Sequence, residues 1–155
     1  MPPSHNEYRL TEGIVELSEA TTWDRAKLEW RLHGVRRIEA PEEPETCLCG
    51  HHPIIEVCTP QNRENGNEAI VGNVGVKKFL GLPSDRIFDA VRRVARDETR
   101  ALNAETIEHA RTHRWINPWE FEFYFDTMRK RSLSERQMAT RVKINRQILA
   151  RVRGR

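Results

Sequence analysis

The sequence lacks any long apolar run, and no stretch approaches the roughly eighteen consecutive apolar residues that a membrane-spanning helix needs. Its first ten residues contain neither the basic segment nor the apolar segment of an export signal. Cysteine is scarce, and its three copies lie in one short stretch, which argues against a disulfide framework and for a reducing compartment. We therefore expect this chain of 155 residues to be cytoplasmic.

Recognisable catalytic motifs are missing as well. None of the patterns G-x-x-x-x-G-K-[ST], G-x-G-x-x-G, G-x-S-x-G and H-E-x-x-H occurs. Glu108, His109 and His113 share a predicted helix, but their spacing matches no known arrangement of a base and metal ligands. Cys49 and His51 are sequence neighbours, which seldom form a nucleophile and base, and zinc would occupy the thiolate. The prediction is a protein without enzymatic activity.

Acidic residues become scarce towards the end of the chain. Residues 129–155 contain ten Lys or Arg and one acid, Glu135, for a local net charge of +9. The first 128 residues carry a net charge of −6. A basic tail on an acidic body indicates an anionic partner for the tail.

The residue patterns predict an α+β fold, with a small β-hairpin followed by a mainly helical C-terminal half. A helix is expected over 23–32 and a strand over 35–40. Two further strands, over 53–59 and 68–72, are expected to be joined by a tight turn at Asn65-Gly66.

Beyond Pro83 the expected helices have recognisable starts, at Ser84, Asn103, Asn117-Pro118 and Ser134. Ser134 and Gln137 form the pattern of a capping box. Three regions follow from these patterns: an N-terminal helix and strand segment with a linker (1–46), a cysteine-cluster β-hairpin module (47–82), and a helical region ending in a basic amphipathic helix (83–155).

The stretch T-C-L-C-G-H-H-P-I-I-E-V-C (46–58) holds all three cysteines and two of the six histidines. Zn²⁺ prefers tetrahedral thiolate and imidazole ligands, and Cys47 and Cys49 on a tight turn would supply two, with Cys58 on the following strand. A fourth ligand would come from the neighbouring histidines or, from a distance, from a helical pair: His51, His52, His109 and His113. Such a site would be structural, because every ligand closes it. The alternative is that the cysteines pack as small apolar residues.

A family resemblance adds to this interpretation. The segments C-L-C-G-H-H-P-I-I-E-V-C, N-R-E-N-G-N and I-V-G-N-V-G-V-K-K-F-L-G resemble a group of small bacteriophage and bacterial proteins. Their shared pattern is C-x-C-G, a strand ending in cysteine, an Asn and a Gly in the hairpin, and then V-G-x-x-C-[VI]-x-x-F. L-S-E-R-Q and the I-N at 144–145 also resemble the end of that group, so the similarity spans about 47–148.

The resemblance implies that Cys47, Cys49 and Cys58 are zinc ligands. The group's fourth cysteine falls at Gly75 here. Either His51 replaces that thiolate, or water does, or the metal is absent and the hairpin is held by packing. The resemblance implies no activity.

The final predicted helix separates apolar residues from basic ones. Its apolar side chains lie within an arc of about 160°: Met138, Val142, Ile144, Ile148, Leu149 and Val152. Neighbouring cations repel one another unless an anion is near. The predicted nucleic-acid-binding residues are therefore these cations and two earlier lysines: Arg136, Lys143, Arg146, Arg151, Arg153, Lys77 and Lys78.

Two partners for these cations remain open: the phosphates of DNA or RNA, or an acidic protein surface, either on this chain or on a second protein. In the second case the protein would be an adaptor or inhibitor of a nucleic-acid-handling complex. The aromatic stretch N-P-W-E-F-E-F-Y-F (117–125) could stack on bases. Its helical spacing favours core packing for Phe121, Tyr124 and Phe125 instead.

Overall fold

The structure is a computed structural model that describes residues 4–153 and has the α+β fold expected from the sequence. The chain divides into two compact units, residues 1–85 and 86–155. Among the residues that the structure describes, no helix has both the length and the apolar character required to cross a bilayer.

The N-terminal unit begins with helix α1, His5–Glu16, which the sequence analysis did not predict. Ser4 accepts a hydrogen bond from the Glu7 backbone and the Glu7 side chain accepts one from the Ser4 backbone, so a capping box starts the helix. Leu10 and Ile14 of α1 are fully buried. The helix therefore forms one side of the core of this unit.

The prediction of a helix over 23–32 is wrong. Helix α2 covers only Trp23–Ala26 and passes through a 3₁₀ turn, Lys27–Glu29, into strand β1, Trp30–Arg37. The strand starts five residues earlier than predicted because β1 pairs antiparallel with β2, Glu56–Asn62, over its whole length. The partner strand is distant in the sequence, so the pairing cannot be predicted from local periodicity.

A three-stranded antiparallel sheet, ordered β1-β2-β3, is completed by the short strand β3, Val71–Gly72. The chain turns at the predicted position, where Gly66 has a left-handed φ of 77° and its N–H bonds back to Asn62. The flanking strands differ from the predicted 53–59 and 68–72, because β2 ends at Asn62 and β3 begins at Val71. Helix α3, Asn73–Gly75, continues into the π-helical turn Val76–Leu80.

Four helices follow: α4 (Ser84–Arg96), α5 (Ala104–Thr112), α6 (Pro118–Thr127) and α7 (Glu135–Arg153). The caps predicted for the last three are confirmed, with Asn103 and Asn117 accepting backbone N–H bonds and Ser134 pairing reciprocally with Gln137. The apolar stripe predicted on α4 is also buried: Ile87, Phe88, Val91 and Val94. On α7 the fully buried apolar residues are Ile144, Ile148 and Val152.

Candidate metal centre and cationic surface

The C-L-C-G segment forms a tight turn fixed by three backbone hydrogen bonds. Gly50 N donates to Cys47 O at 2.8 Å, and Cys47 N donates to the carbonyl of His51 at 2.9 Å. Leu48 N donates to the Ile70 carbonyl at 2.8 Å and so ties the turn to the residue that precedes β3. The geometry of the cysteine pair is therefore set by the backbone.

The same turn directs backbone amides at sulfur. Sγ of Cys47 accepts hydrogen bonds from the N–H groups of Cys49 and Gly72, each at 3.4 Å. Sγ of Cys49 accepts one from His51 N, also at 3.4 Å. Amides pointed at a sulfur stabilise its charged form, which is the form that binds metals. Cys47 and Cys49 thus fit the first half of a thiolate metal site.

A guanidinium lies directly over this turn. Gly50 has a left-handed φ of 92°, and a Cβ at this position would collide with the guanidinium of Arg9 from α1. The positive φ favours glycine here, and the missing side chain leaves room for the guanidinium of Arg9. A positive charge next to Gly50 would offset part of the negative charge of a zinc–thiolate cluster on this turn. Arg9 was not identified from the sequence.

Cys58 occupies a different environment. It is fully buried on β2, opposite Val71 of β3 and Val35 of β1. Burial raises the pKa of its thiol to about 12, against a smaller opposing effect of a hydrogen bond with Ser84. Burial likewise raises the pKa of Cys47. In this arrangement Cys58 is a protonated core residue, and a metal would have to displace its proton.

The predicted ligand set is only partly assembled. Within residues 4–153, no three His, Cys, Asp or Glu side chains form a group that could hold a metal ion. His51 and His52 are exposed, and Nδ1 of His52 lies 2.8 Å from Oγ1 of Thr46. The donors that the fold already brings together are Cys47 and Cys49.

The remaining predicted ligand positions lie elsewhere. His109 and His113 belong to the C-terminal unit, where their rings stack at 4.0 Å. A Cβ placed on Gly75 would lie 3.2 Å from Val71 Cγ1 and 3.6 Å from Leu10 Cδ2. The position that holds a cysteine in the resembling proteins therefore faces apolar side chains here.

Three of the seven predicted nucleic-acid-binding cations are paired with acids of the same unit. Lys77 Nζ lies 3.1 Å from Asp85, and Lys78 Nζ lies 2.9 Å from Glu7. Arg146 donates two hydrogen bonds to the Glu98 carboxylate, at 2.8 and 2.7 Å. These exposed pairs are individually weak, but they make the three cations poorer contacts for a phosphate.

The other predicted cations lie on the exposed side of α7. Arg136, Lys143 and Arg151 are exposed and have no acidic partner among the residues that the structure describes. Arg153 is exposed and has a further interaction. The loop before α7 adds three more exposed cations without an acidic partner in the described part of the chain: Arg129, Lys130 and Arg131.

A cleft on α4 contains arginines that sequence reasoning missed. It has a volume of about 370 Å³ and we call it the arginine cleft; it is lined by Asp89, Arg92, Arg93, Arg96, Asp97 and Arg100. Arg92 pairs with Asp89 and Arg93 donates to the Ala101 carbonyl, whereas Arg96 has no partner among the described residues. The spacing of Arg92, Arg96 and Arg100 by four residues is the sequence pattern that could have indicated this cluster.

The loop that follows the cleft is joined to α7 by a buried polar network. Asn145 Nδ2 donates to the carbonyls of Glu98 and Arg100 at 2.7 and 2.8 Å. The Tyr124 hydroxyl donates to Asn145 Oδ1 at 2.6 Å and accepts from Leu102 N at 2.7 Å. The loop that carries Arg100 of the arginine cleft is therefore held against α7.

One basic residue of the tail does not face solvent. Arg141 is only 6% exposed and donates to the carbonyls of Thr99 and Thr127, at 3.3 and 2.9 Å. It acts as a structural donor that fixes the same loop. The charge count of the tail thus overstates the charge that faces solvent.

No family model matches this chain, and neither the curated proteins nor the solved structures contain a significant match to it.

Proposed function

We propose that this chain is a non-catalytic, cytoplasmic nucleic-acid-binding protein of phage or mobile-element type, whose C-terminal unit binds the phosphate backbone of DNA or RNA. The observation that carries the proposal is the set of exposed α7 cations without an acidic partner among the described residues: Arg136, Lys143 and Arg151. Exposed like charges repel one another. Contact with the phosphates of a nucleic acid relieves that repulsion and releases the counterions that were condensed on the nucleic acid.

The charge of the whole unit supports this proposal. Residues 86–155 contain seventeen Lys or Arg and nine Asp or Glu, a net charge of +8. The arginine cleft adds Arg96, which is exposed and not engaged by any described acid. A surface of this kind gives affinity that depends weakly on sequence and strongly on salt.

The test is a fluorescence-anisotropy titration of the purified chain at several salt concentrations. The three labelled probes are single-stranded DNA, double-stranded DNA and RNA. We expect binding at low salt, with an association constant that falls steeply as salt rises. Absence of binding at low salt to all three probes would contradict the proposal. A salt-independent affinity would also contradict it, because phosphate contacts would then not dominate.

We propose further that the cysteine turn binds structural zinc through Cys47 and Cys49, with Cys58 and His51 completing the site. The amide hydrogen bonds to both turn sulfurs support this proposal. Closing a metal site would stabilise the small hairpin, since the binding free energy of a structural metal contributes to folding.

Elemental analysis of protein purified without chelator tests the zinc proposal. We expect close to one zinc per chain, and loss of that zinc in Cys49→Ser. Ser132→Ala, an exposed change in the C-terminal unit, is the matched control and should keep the metal. A metal-free wild-type protein that also takes up no added zinc would refute the site.

A further inference from the structure

Helix α6 has an outer face that the fold does not use. Its inward side is buried, through Glu120, Phe121, Tyr124 and Thr127. Trp119, Glu122, Phe123 and Asp126 recur at the spacing of one helical face and form what we call the acidic–aromatic stripe. Trp119 is 64% exposed, and Glu122 and Asp126 are exposed as well.

In the aromatic part of the stripe, Trp119 is open to solvent and Phe123 is half-buried. The rings of Trp119 and Phe123 stack at a centroid distance of 5.5 Å with an interplanar angle of 16°. Phe125, on the neighbouring side of α6, is 48% exposed. By contrast, Phe88 and Tyr124 in the same unit are almost completely buried. A cluster of exposed aromatic residues on a helix whose other face is buried indicates an interaction surface.

The charge of the stripe is opposite to that of its unit. No Lys or Arg occurs between Trp115 and Met128, although residues 86–155 carry a net charge of +8. Glu122 and Asp126 have no cationic partner among the residues that the structure describes. Two carboxylates thus accompany the exposed Trp119 ring within a strongly basic unit.

This combination selects a cation. The carboxylates would repel a phosphate backbone, which makes the stripe unsuited to stacking on nucleic-acid bases. A lysine ammonium or an arginine guanidinium gains both ion pairing with the carboxylates and attraction to the face of the Trp119 ring. We propose that the acidic–aromatic stripe of α6 binds a Lys- and Arg-rich segment of a partner protein.

The proposal is independent of nucleic-acid binding, since it uses a different helix and the opposite charge. A protein with both surfaces would connect a nucleic acid, held by α7, to a basic protein, held by α6. Such basic segments occur on proteins that themselves handle nucleic acid.

The test measures binding of fluorescein-labelled nona-arginine and nona-lysine peptides to the full chain by anisotropy, in the absence of nucleic acid. Trp119→Ala should weaken binding by about three- to tenfold, the range expected for a partly desolvated cation–π contact. Trp119→Phe keeps an aromatic face and should retain more affinity than Trp119→Ala. Glu122→Gln with Asp126→Asn should weaken binding by about tenfold, because both ion pairs are lost while the side-chain shapes are kept.

Two controls separate the stripe from general electrostatic attraction. Leu28→Ala removes a side chain that is 71% exposed in the N-terminal unit. Glu43→Gln with Glu64→Gln removes two exposed carboxylates from the same unit. We expect both controls to bind the peptides like the wild type.

Three results would overturn the proposal. The first is that neither peptide binds the wild type. The second is that the stripe variants bind like the wild type, and the third is that the controls lose as much affinity as the stripe variants. A fourth would reassign the surface: if Trp119→Ala weakens binding of a labelled thymidine 20-mer and leaves peptide binding unchanged, the stripe stacks on bases. Nucleic-acid binding by α7 is measured separately, so either proposal can fail alone.

Discussion

The two units of the molecule carry opposite net charges. Residues 1–85 contain nine Lys or Arg and fourteen Asp or Glu, a net charge of −5, whereas residues 86–155 have a net charge of +8. In the acidic unit, Arg36, Lys77 and Lys78 are each held by a carboxylate of that unit. In the basic unit, several cations of α7 have no described acidic partner. Exposed cations without a described acidic partner also occur in the acidic unit, for example Arg25 and Arg63, so the difference between the units lies in their net charge.

The units also differ in how they stabilise their interiors. The N-terminal unit combines a three-stranded sheet with two buried sulfur atoms, those of Cys47 and Cys58. The C-terminal unit is helical and holds the loop between α4 and α5 with the polar side chains of Tyr124, Arg141 and Asn145. That loop carries part of the arginine cleft, so stability and proposed binding are coupled in the basic unit only.

Two buried asparagines allow this coupling to be tested, and they carry the largest expected effect. Asn145 makes three hydrogen bonds in the C-terminal unit, and Asn62 makes three in the N-terminal unit, to Glu29 and to the backbones of Glu64 and Asn65. Replacing either by alanine leaves buried polar groups unpaired and should lower the free energy of unfolding by about 2 to 4 kcal/mol, measured by urea denaturation.

DNA binding should separate the two variants. Asn145→Ala releases the loop that carries Arg100 and should reduce DNA affinity under conditions where the protein remains folded. Asn62→Ala should leave DNA affinity unchanged, although its stability falls by a similar amount. Equal losses of DNA affinity in the two variants would show that binding does not reside in the basic unit.

Thiol chemistry should distinguish the cysteines within the acidic unit. Cys49 is half-buried, whereas Cys58 is fully buried and burial raises its pKa to about 12. Reaction with a disulfide reagent such as DTNB at pH 8 should modify Cys49 at least about tenfold faster than Cys58, because Cys49 is more accessible and the raised pKa of Cys58 keeps that thiol protonated.

Two comparisons complete the thiol experiment. Cys49→Ser should remove the fast phase, and added Zn²⁺ should suppress it in the wild type if the proposed site forms. Equal reaction rates for all three thiols of the folded protein would contradict the buried position of Cys58.

The smallest effect concerns the exposed pair of Glu98 and Arg146. The hydrogen bond from Arg146 lowers the pKa of the Glu98 carboxyl below its usual value of 4.5. A lowered pKa in the folded state means that the stabilisation is present above pH 4.5 and is lost as the pH falls below it.

The pair can be isolated by a single substitution. Arg146→Gln should make the melting temperature less sensitive to pH between 3 and 6, and Lys143→Gln, an exposed cation on the same helix, should not. A change of the same size in both variants would assign the effect to net charge.

What the sequence predicted correctly is mostly local. The starts at Asn103, Asn117 and Ser134 follow from side chains that bond to amides three residues away. The capping box at Ser4 and Glu7 has the same local signal and was overlooked. The C-x-C-G turn likewise encodes its own geometry within a few residues.

What the sequence could not predict depends on distant partners. Trp30 begins a strand because it pairs with Asn62, 32 positions along the chain. Arg141 is buried because its guanidinium meets the carbonyls of Thr99 and Thr127, which no helical wheel of α7 contains. For the same reason, the pairing of Arg146 with Glu98 was invisible from the run of basic residues.

The most direct test of the account compares two triple variants in salt-dependent DNA binding. Arg136, Lys143 and Arg151, changed together to alanine, remove cations without a described acidic partner; Lys77, Lys78 and Arg146 are the paired set. On double-stranded DNA the slope of log K against log salt should shrink by about 2 to 3 in the first variant, roughly 0.9 per phosphate contact, and by less than about 1 in the second. Equal changes in the two slopes would contradict the claim that unpaired cations of α7 bind the phosphates.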